Sequence, residues 1–360
     1  TQNGVRGGSA TVHFPIWHQE IEDIIVLKNN KGSEDNRVRK LDYSIQISKL
    51  FYERFIKDEE ITLFSPHEVP GLYEAFGLPE FDEMYEKYER KTSISKTKIR
   101  AQLLFMDILK ERAETGRIYI MNIDHCNTHS SFKDKVYMSN LCQEITLPTT
   151  PLDHIDDTKG EIALCILSAI NLGLIRDKEE LEGLCDLSVR ALDEIIDYQE
   201  YPIEAARISA ESRRSLGIGY IGLAHFLAKN HVKYDDPKAL EIVDETTEAF
   251  QYYLLKASNN LAKEKGKCEY FEKTKYSDGI LPIDTYKKDL DKIIKRKLSY
   301  DWKQLRKDIQ EHGLRHSTLS AQMPSESSSV VSNATNGIEP PRDYLSVKKS
   351  KKGTLKQIVP

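Results

Sequence analysis

The 360-residue chain contains few cysteines and no long apolar segment. Its five cysteines (positions 126, 142, 165, 185 and 268) lack CxxC spacing, which argues against a disulfide scaffold or a zinc site and predicts a reducing, cytoplasmic setting. No apolar run approaches the roughly 20 residues that cross a bilayer, and no secretory leader is visible. Because the formal net charge is −5, we expect neither nucleic acid nor membrane as a partner.

Hydrophobic residues (39%) and charged residues (30%) are balanced as in globular proteins with an ample core. Apolar, β-branched runs such as "DYSIQIS", "EITLFS" and "RIYIMNI" alternate with long helical patterns, of which the clearest is "KTKIRAQLLFMDILKERAETG". Residues 68–116 and 177–270 are predicted to be mostly helical, and "HSTLSAQM" and "DYLSVK" are predicted strands. Strands separated by long helices predict an α/β architecture with largely parallel strands.

The segment "GIGYIG" (217–222) matches the G-x-G-x-x-G pattern of dinucleotide-binding proteins. The residues before it, "ARISAESRRSL", are charged and helical in pattern, and no βαβ unit surrounds the motif. We therefore reject dinucleotide binding and predict a tight turn with close helix packing.

The segment "SNLCQEI" (139–145) presents an amide, a thiol and an acid at alternate positions. On a strand, residues i, i+2 and i+4 share one face, so Asn140, Cys142 and Glu144 would point the same way. Burying such polar groups without partners is costly, which indicates a reaction site with a polar substrate rather than a core strand. A Cys–His hydrolase would also use a thiol, but no histidine is clearly placed to serve it.

Two further segments carry polar groups. "MPSESSSVVSNATNG" (323–337) predicts a turn that opens a short helix. The free backbone N–H groups at the helix start suit a diphosphate or triphosphate, but a simple N-cap or a flexible serine loop explains the segment equally well. "DHCNTH" (124–129) matches no common zinc spacing, so a structural role is the better interpretation. Cys185 and Cys268 fall in surface-like helical surroundings, and Cys165 in "IALCILSA" would by default be a small buried hydrophobe.

Many ordered segments resemble the catalytic (large, or alpha) subunits of class I ribonucleoside-diphosphate reductase. They include "GVRGGSAT", "FPIWHQEIEDIIVLKNNKGSEDNRVR", "RIYIMNIDHCNTHS", "SNLCQEITLPT", "GEIALCILSAINLG", "STLSAQMPSESSS" and "SNATNGIEPPR". The resemblance implies a ten-stranded α/β barrel of two antiparallel half-barrels with a central finger loop, to which "NLCQE" would correspond. Residues 1–360 would form one incomplete catalytic barrel, without the amino-terminal ATP cone, the first barrel strands and the carboxy-terminal tail.

The resemblance also implies roles for individual residues in the reduction of ribonucleoside diphosphates. Cys142 would carry the thiyl radical, Glu144 would act as general base, and Asn140 would hold the ribose hydroxyls. Cys165 would be one of two reducing cysteines. Residues Glu326, Ser327 and Ser328 would bind the substrate diphosphate, and Gln2 and Arg6 would belong to the specificity loop.

The implied partners lie outside the chain. They are a small (beta) subunit with a dinuclear-metal/tyrosyl radical, a second large subunit, ATP and dNTP effectors, and thioredoxin or glutaredoxin as reductant; no cofactor or metal is expected in the chain itself. By the resemblance, the second redox cysteine and the tyrosine pair of the radical relay would lie outside these 360 residues, so we expect no turnover by the isolated chain. His316 stands where asparagine is usual, and Asp343 replaces a small residue.

Three alternatives remain open from the sequence. The chain could be a cobalamin-dependent (class II) or glycyl-radical relative, or a non-catalytic component of a split enzyme. The ends are also ambiguous: Thr1 suits the residue that follows an intein, but a split gene or a partial sequence explains them equally well.

Overall fold

The computed structural model describes residues 7–350 and 353–360. The chain divides into two compact units. The first comprises the residues up to Ser130 together with Lys135–Thr146, and the second comprises Ser131–Asp134 and Leu147–Pro360.

Both units contain helices and strands. The strands are β1 (Thr11–Pro15), β2 (Asp42–Ile47), β3 (Glu60–Phe64), β4 (Lys96–Arg100), β5 (Ile118–Asn122), β6 (Ile166–Asn171), β7 (Leu216–Ile221), β8 (Leu345–Ser350) and β9 (Gly353–Ile358). The α-helices are α1 (Ile21–Ile25), α2 (Lys49–Ile56), α3 (Leu72–Ala75), α4 (Phe81–Arg90), α5 (Ala101–Thr115), α6 (Ile123–His129), α7 (Lys178–Tyr198), α8 (Glu204–Arg213), α9 (Leu223–Lys229), α10 (Pro237–Lys265), α11 (Pro282–Thr285), α12 (Trp302–His312) and α13 (Glu326–Val331). The mixed α/β class is confirmed. None of the described helices is both long and apolar enough to span a bilayer.

The first unit is built on a three-stranded parallel sheet in the order β1-β2-β5. The central strand β2 alternates strictly, because Ile45 and Ile47 belong to the hydrophobic core while Ser44 and Gln46 take the positions between them. All four side chains are fully buried, so both faces of the strand are covered. On β2, one face is therefore apolar, and the other is buried but polar.

Helix α5 packs on the apolar face of this sheet. Ala101, Leu104 and Ile108 are fully buried at helical spacing, and the helix ends at Gly116, whose positive φ of 64° forms the C-cap. The predicted helix is confirmed over 101–115. The prediction for 68–116 is wrong at β4, which pairs antiparallel with β3, because tertiary strand pairing outweighs the charged composition of "KTKIR".

The second unit is organised around long helices and a parallel β6–β7 pair. Helices α7 and α10 pack against each other, and α12 packs on α10, around a core that includes Val189, Leu254 and Ile309. Sequence marks the helix starts, since the Asp177 side chain accepts from the N–H of Glu180 and Asp236 precedes Pro237.

The glycine motif at 217–222 is not a turn, so that prediction is wrong. It lies inside buried strand β7, paired in register with β6, and only Gly222 (φ 77°) leaves the strand. A Cβ on Gly219 would lie 2.4 Å from the carbonyl oxygen of Ala321. The glycines therefore permit the 318–323 segment to approach β7, where Ser320 bridges Ile218 in place of the longer predicted strand.

The strands of residues 7–350 and 353–360 form one three-stranded and three two-stranded sheets, which close no barrel. The prediction of largely parallel strands is confirmed for β1-β2-β5 and β6-β7, whereas β3-β4 and β8-β9 are antiparallel. The stretch 139–145, predicted as a strand, contains none.

Candidate functional site

The residues predicted to carry chemistry in the first unit lie in a short closed loop, 139–146. Ser139 bridges Thr146 at its base, and the Ser139 hydroxyl donates to the carbonyl oxygen of Ile145 at 2.7 Å. The N–H of Asn140 donates to the same oxygen at 3.3 Å. These bonds bring the two ends of the loop together and leave 141–144 as its tip.

The chain reverses at this tip, which is why the strand prediction is wrong. The N–H of Gln143 donates to the carbonyl of Asn140 at 3.3 Å, and Gln143 has a φ of 64° in the left-handed region. A strand cannot contain such a turn, so alternation does not decide where the side chains point. The turn still keeps Asn140, Cys142 and Glu144 within one loop: Cys142 is exposed, and the other two are half-buried.

Under the loop lies the polar face of the first sheet. The parallel register aligns His13, Ser44 and Tyr119 as neighbours on β1, β2 and β5. The Thr11 hydroxyl on β1 donates to the carbonyl of Leu141 at 2.8 Å. The side-chain amide of Gln143 donates to the Ser44 hydroxyl on β2. The loop tip is thus attached to two neighbouring strands.

Electrostatic effects identify the groups closest to the loop. Burial raises the pKa of Tyr119, and the nearby Cys142 and Glu144 raise it further. Burial lowers the pKa of His13, and a hydrogen bond with the Ser139 backbone, which raises the pKa, only partly offsets this effect. His13 is therefore neutral near pH 7. Within the part of the chain that the structure describes, the buried Oε2 of Glu144 has no hydrogen-bond partner. That oxygen can accept a proton or a hydrogen bond from a ligand.

Several members of this site were missed from sequence: His13, Ser44, Tyr119 and the anchoring role of Gln143. A signal for Ser44 was present, because "DYSIQIS" places polar residues at every second position of an otherwise apolar strand. No local pattern could indicate His13 or Tyr119, whose proximity to the loop depends on the pairing of three distant strands.

The "DHCNTH" segment forms most of helix α6. Burial raises the pKa of Cys126 to about 11, so its thiol stays protonated and is a poor nucleophile. Cys185 and Cys268 are fully buried rather than surface-like, which corrects that prediction. Among the described residues, no group of three or more His, Cys, Asp or Glu side chains could hold a metal ion.

The second unit contains the remaining described candidates. Cys165 is a half-buried thiol directly before β6, at the amino end of the β6–β7 pair. Glu326, Ser327 and Ser328 form the first turn of α13, which follows the 318–323 segment at the carboxyl end of β7. Because β6 and β7 have six residues each, the two ends are about 20 Å apart. Cys165 and the serine turn therefore occupy opposite ends of this pair.

The serine turn is exposed and opens on a cavity. The cavity has a volume of about 340 Å³, and Glu326, Asn336, Arg342 and Gln357 are among its lining residues. The Ser325 hydroxyl, just before the helix, donates to Oδ1 of Asn336 at 3.0 Å. The first N–H groups of a helix have no acceptor within the helix itself. Gln2 and Arg6 lie outside the described residues.

Comparison with known proteins covers the entire chain. The family described as "Ribonucleotide reductase, barrel domain" matches residues 1–360. The "Ribonucleoside-diphosphate reductase subunit alpha" of Haemophilus influenzae is 61% identical over 100% of this chain and 48% of its own length. The "Ribonucleoside-diphosphate reductase 1 subunit alpha" of Escherichia coli is 59% identical, and the "Ribonucleoside-diphosphate reductase subunit alpha" of enterobacteria phage T4 is 47% identical, each over 100% of this chain and 48% of the relative.

The chain therefore spans about half the length of the curated relatives it matches. The family match over the whole chain and the high identity confirm the resemblance found in the sequence. The chain belongs to the ribonucleotide reductase barrel-domain family, that of the alpha subunits of class I ribonucleoside-diphosphate reductase.

Proposed function

We propose that this chain provides the catalytic loop of a class I enzyme that reduces ribonucleoside diphosphates to 2′-deoxyribonucleoside diphosphates. The observation that carries the proposal is the closed 139–146 loop, which holds an exposed thiol between a half-buried amide and a half-buried carboxylate. Family membership supports the same chemistry. The finer fold, a ten-stranded barrel with this loop as its central finger, is part of the proposal.

Each residue type suits its role at the loop tip. Cys142, as a thiyl radical, takes the hydrogen atom from the 3′ carbon and becomes a thiol while the carbon radical forms. Glu144 accepts the proton of the 3′ hydroxyl, for which its buried, unpartnered Oε2 is suited. Asn140 holds the ribose hydroxyls, since a neutral amide can donate and accept together.

The overall reduction needs two electrons and two protons, which replace the 2′ hydroxyl by hydrogen and release water. Cys165 supplies one of the two thiols that are oxidised to a disulfide, and a thioredoxin or glutaredoxin restores them. A small subunit with a dinuclear-metal/tyrosyl radical would supply the oxidising equivalent: Cys142 would lose one electron and one proton as its thiyl radical forms, and it would regain both at the end of each turnover. We expect this assembly, with a dimer of large subunits, in the cytoplasm.

The diphosphate of the substrate binds at the first turn of α13. Glu326, Ser327 and Ser328 are exposed there, and the turn combines backbone N–H donors with hydroxyl groups. Gln2 and Arg6 relay the identity of a bound dNTP effector to the substrate base.

The test uses the complete large subunit that contains this chain, reconstituted with its small subunit and a dithiol reductant. Cys142→Ser should abolish reduction of a nucleoside diphosphate, because a hydroxyl does not form a comparable radical. Glu144→Gln should lower kcat by about 10²- to 10⁴-fold, the usual contribution of a general base. Cys126→Ser is the matched control, since that half-buried thiol lies on α6 outside the loop.

The control should retain wild-type activity, and thermal unfolding should show that all variants are folded. Unchanged reduction by the Cys142→Ser enzyme would contradict the proposal. Activity that depends on added cobalamin instead of the small subunit would assign the chain to the class II relatives.

A further inference from the structure

Gln143 occupies an unusual backbone conformation immediately after Cys142. Its φ of 64° lies in the left-handed region, where glycine and asparagine are the usual residues. Glutamine has no intrinsic preference for this region, so a tertiary contact must hold it there. The side-chain amide supplies that contact by donating to the Ser44 hydroxyl on β2.

The acceptor of this hydrogen bond, the Ser44 hydroxyl, is held in a fixed position by the sheet. Ser44 is fully buried at the centre of the three-stranded sheet, with partners His13 on β1 and Tyr119 on β5. A hydrogen bond to this hydroxyl is shielded from competing water, and it ties Gln143 to the central strand of the sheet.

Cys142 is held from both sides while its own side chain is exposed. On one side the carbonyl of Leu141 accepts from the Thr11 hydroxyl, and on the other Gln143 binds Ser44. A return of Gln143 to negative φ would rotate the peptide that joins it to Cys142. The Gln143–Ser44 bond therefore restricts the direction in which the Cys142 thiol points.

We propose that Gln143, held by Ser44, is a positioning residue that aims the Cys142 thiol at the substrate. This inference rests on the proposed function of Cys142. It extends that function to a hydrogen bond between the loop and the sheet beneath it. Hydrogen-atom transfer depends steeply on the placement of the two reacting atoms, so loss of this bond should affect the chemical step rather than substrate binding.

The test compares Gln143→Leu, Ser44→Ala and the double variant in the reconstituted enzyme. Leucine is similar in size to glutamine and equally disfavoured at this φ, so the substitution removes mainly the hydrogen bond. Each single variant should lower kcat on the order of tenfold and leave KM near the wild-type value. The double variant should lose no more than either single variant, because both remove the same bond.

Gln102→Leu is the matched control. The amide of Gln102 donates to the carbonyl of Phe55 on the other side of the first unit, at 3.2 Å, and the substitution should leave kcat unchanged. Hydrogen exchange of peptides covering 139–146 reports on the loop independently of activity. The exchange should accelerate in Gln143→Leu and Ser44→Ala but not in the control.

The inference is overturned if kcat is unchanged in both single variants, even where exchange accelerates, because the bond would then be purely structural. A rise in KM at constant kcat, or additive losses in the double variant, would overturn it as well. Failure of the proposed function is a separate result: there the Cys142→Ser enzyme remains active.

Discussion

Replacing Asp193 by asparagine should strongly destabilise the second unit. Asp193 lies on α7 and is fully buried. Its carboxylate accepts from Nε of Arg214 at 2.6 Å, from Nε2 of His316 at 3.1 Å and from Nε of Arg315 at 3.2 Å. Lys265 lies 3.3 Å from the second oxygen. The carboxylate therefore faces two largely buried guanidinium groups, those of Arg214 and Arg315, and the more exposed ammonium group of Lys265.

The magnitude follows from what the substitution leaves behind. Asparagine preserves the shape but removes the negative charge, so the nearly buried guanidinium of Arg214 faces a neutral amide. Removing one partner of a buried ion pair lowers the free energy of unfolding by about 3–5 kcal/mol. For a unit of roughly 200 residues, each kcal/mol lowers Tm by about 2–4 °C, which gives a decrease of about 6–20 °C.

The measurement is thermal and urea unfolding of wild type and variant, followed by circular dichroism at pH 7. Asp197→Asn is the matched control, because Asp197 pairs with the same Arg214 at 2.7 Å but is 48% exposed. Solvent-exposed pairs contribute no more than about 1 kcal/mol. If Asp193→Asn is no more destabilising than Asp197→Asn, the argument from the buried charge is refuted.

The pH dependence provides a second check on Asp193. Burial opposes its ionisation, but the hydrogen bond from His316 and the charges of Arg214 and Arg315 outweigh burial and hold its pKa well below the usual range. A lowered folded-state pKa stabilises the protein above the unfolded value of about 3.9, and this stabilisation is lost as the pH falls toward the folded value. The difference in the free energy of unfolding between wild type and Asp193→Asn should therefore have its maximum value at pH 7 and decrease below about pH 4. A difference that stays constant down to pH 3 would contradict this reasoning.

Two further predictions concern the same unit. Burial lowers the pKa of His316 from 6.5 to about 4, so the unfolded chain binds a proton between these values that the folded chain does not. Wild-type stability should fall by about 3 kcal/mol between pH 6.5 and 4, and His316→Asn should flatten this slope in urea titrations across the range. Gly219→Ala places a Cβ 2.4 Å from the carbonyl oxygen of Ala321 and should cost about 1–3 kcal/mol in the same unfolding assay, whereas Gly183→Ala, with nothing within 4 Å, should not destabilise.

Much of the secondary structure could be predicted because local patterns and tertiary packing agree. Helix α5 has apolar residues at helical spacing and a glycine where the backbone must turn left-handed, and it forms over 101–115 as expected. Strand β2 combines β-branched residues with strict alternation and is also confirmed. In both elements, apolar residues at the expected spacing, such as Ile45 and Ile47 on β2 and Leu104 and Ile108 on α5, belong to the hydrophobic core.

The errors occur where a distant segment decides the local conformation. Strand β4 has a charged sequence that favours no strand, and its conformation comes from pairing with β3 more than 30 residues earlier. In β7, glycine spacing indicated a turn. The absence of a side chain on Gly219 instead allows the 318–323 segment, roughly 100 residues later, to pack closely against the strand. Neither partner can be identified from a local window.

For the site, the sequence identified chemical groups but not their geometry. The family resemblance singled out Asn140, Cys142 and Glu144, and the structure places all three in one loop. A sequence of five residues with polar side chains at alternate positions can form either a strand or a turn whose tip residue has a positive φ. The bonds that separate the two cases, from Ser139 to Ile145 and from Gln143 to Ser44, join positions that no periodicity relates.

The polar face of β2 shows how such a site could be recognised in other sequences. A strand with apolar residues on one face and Ser44 and Gln46 on the other looks half-exposed, yet both polar side chains are fully buried. Buried polar groups usually have hydrogen-bonding partners, and the 136–146 segment provides one for each of these side chains: Gln143 donates to Ser44, and the Gln46 amide donates to the carbonyl of Tyr137. A polar face on the central strand of a parallel sheet therefore indicates a covering loop whose position the sheet specifies. In this chain that loop carries Cys142, so the same hydrogen bonds that satisfy the sheet also hold the thiol in place.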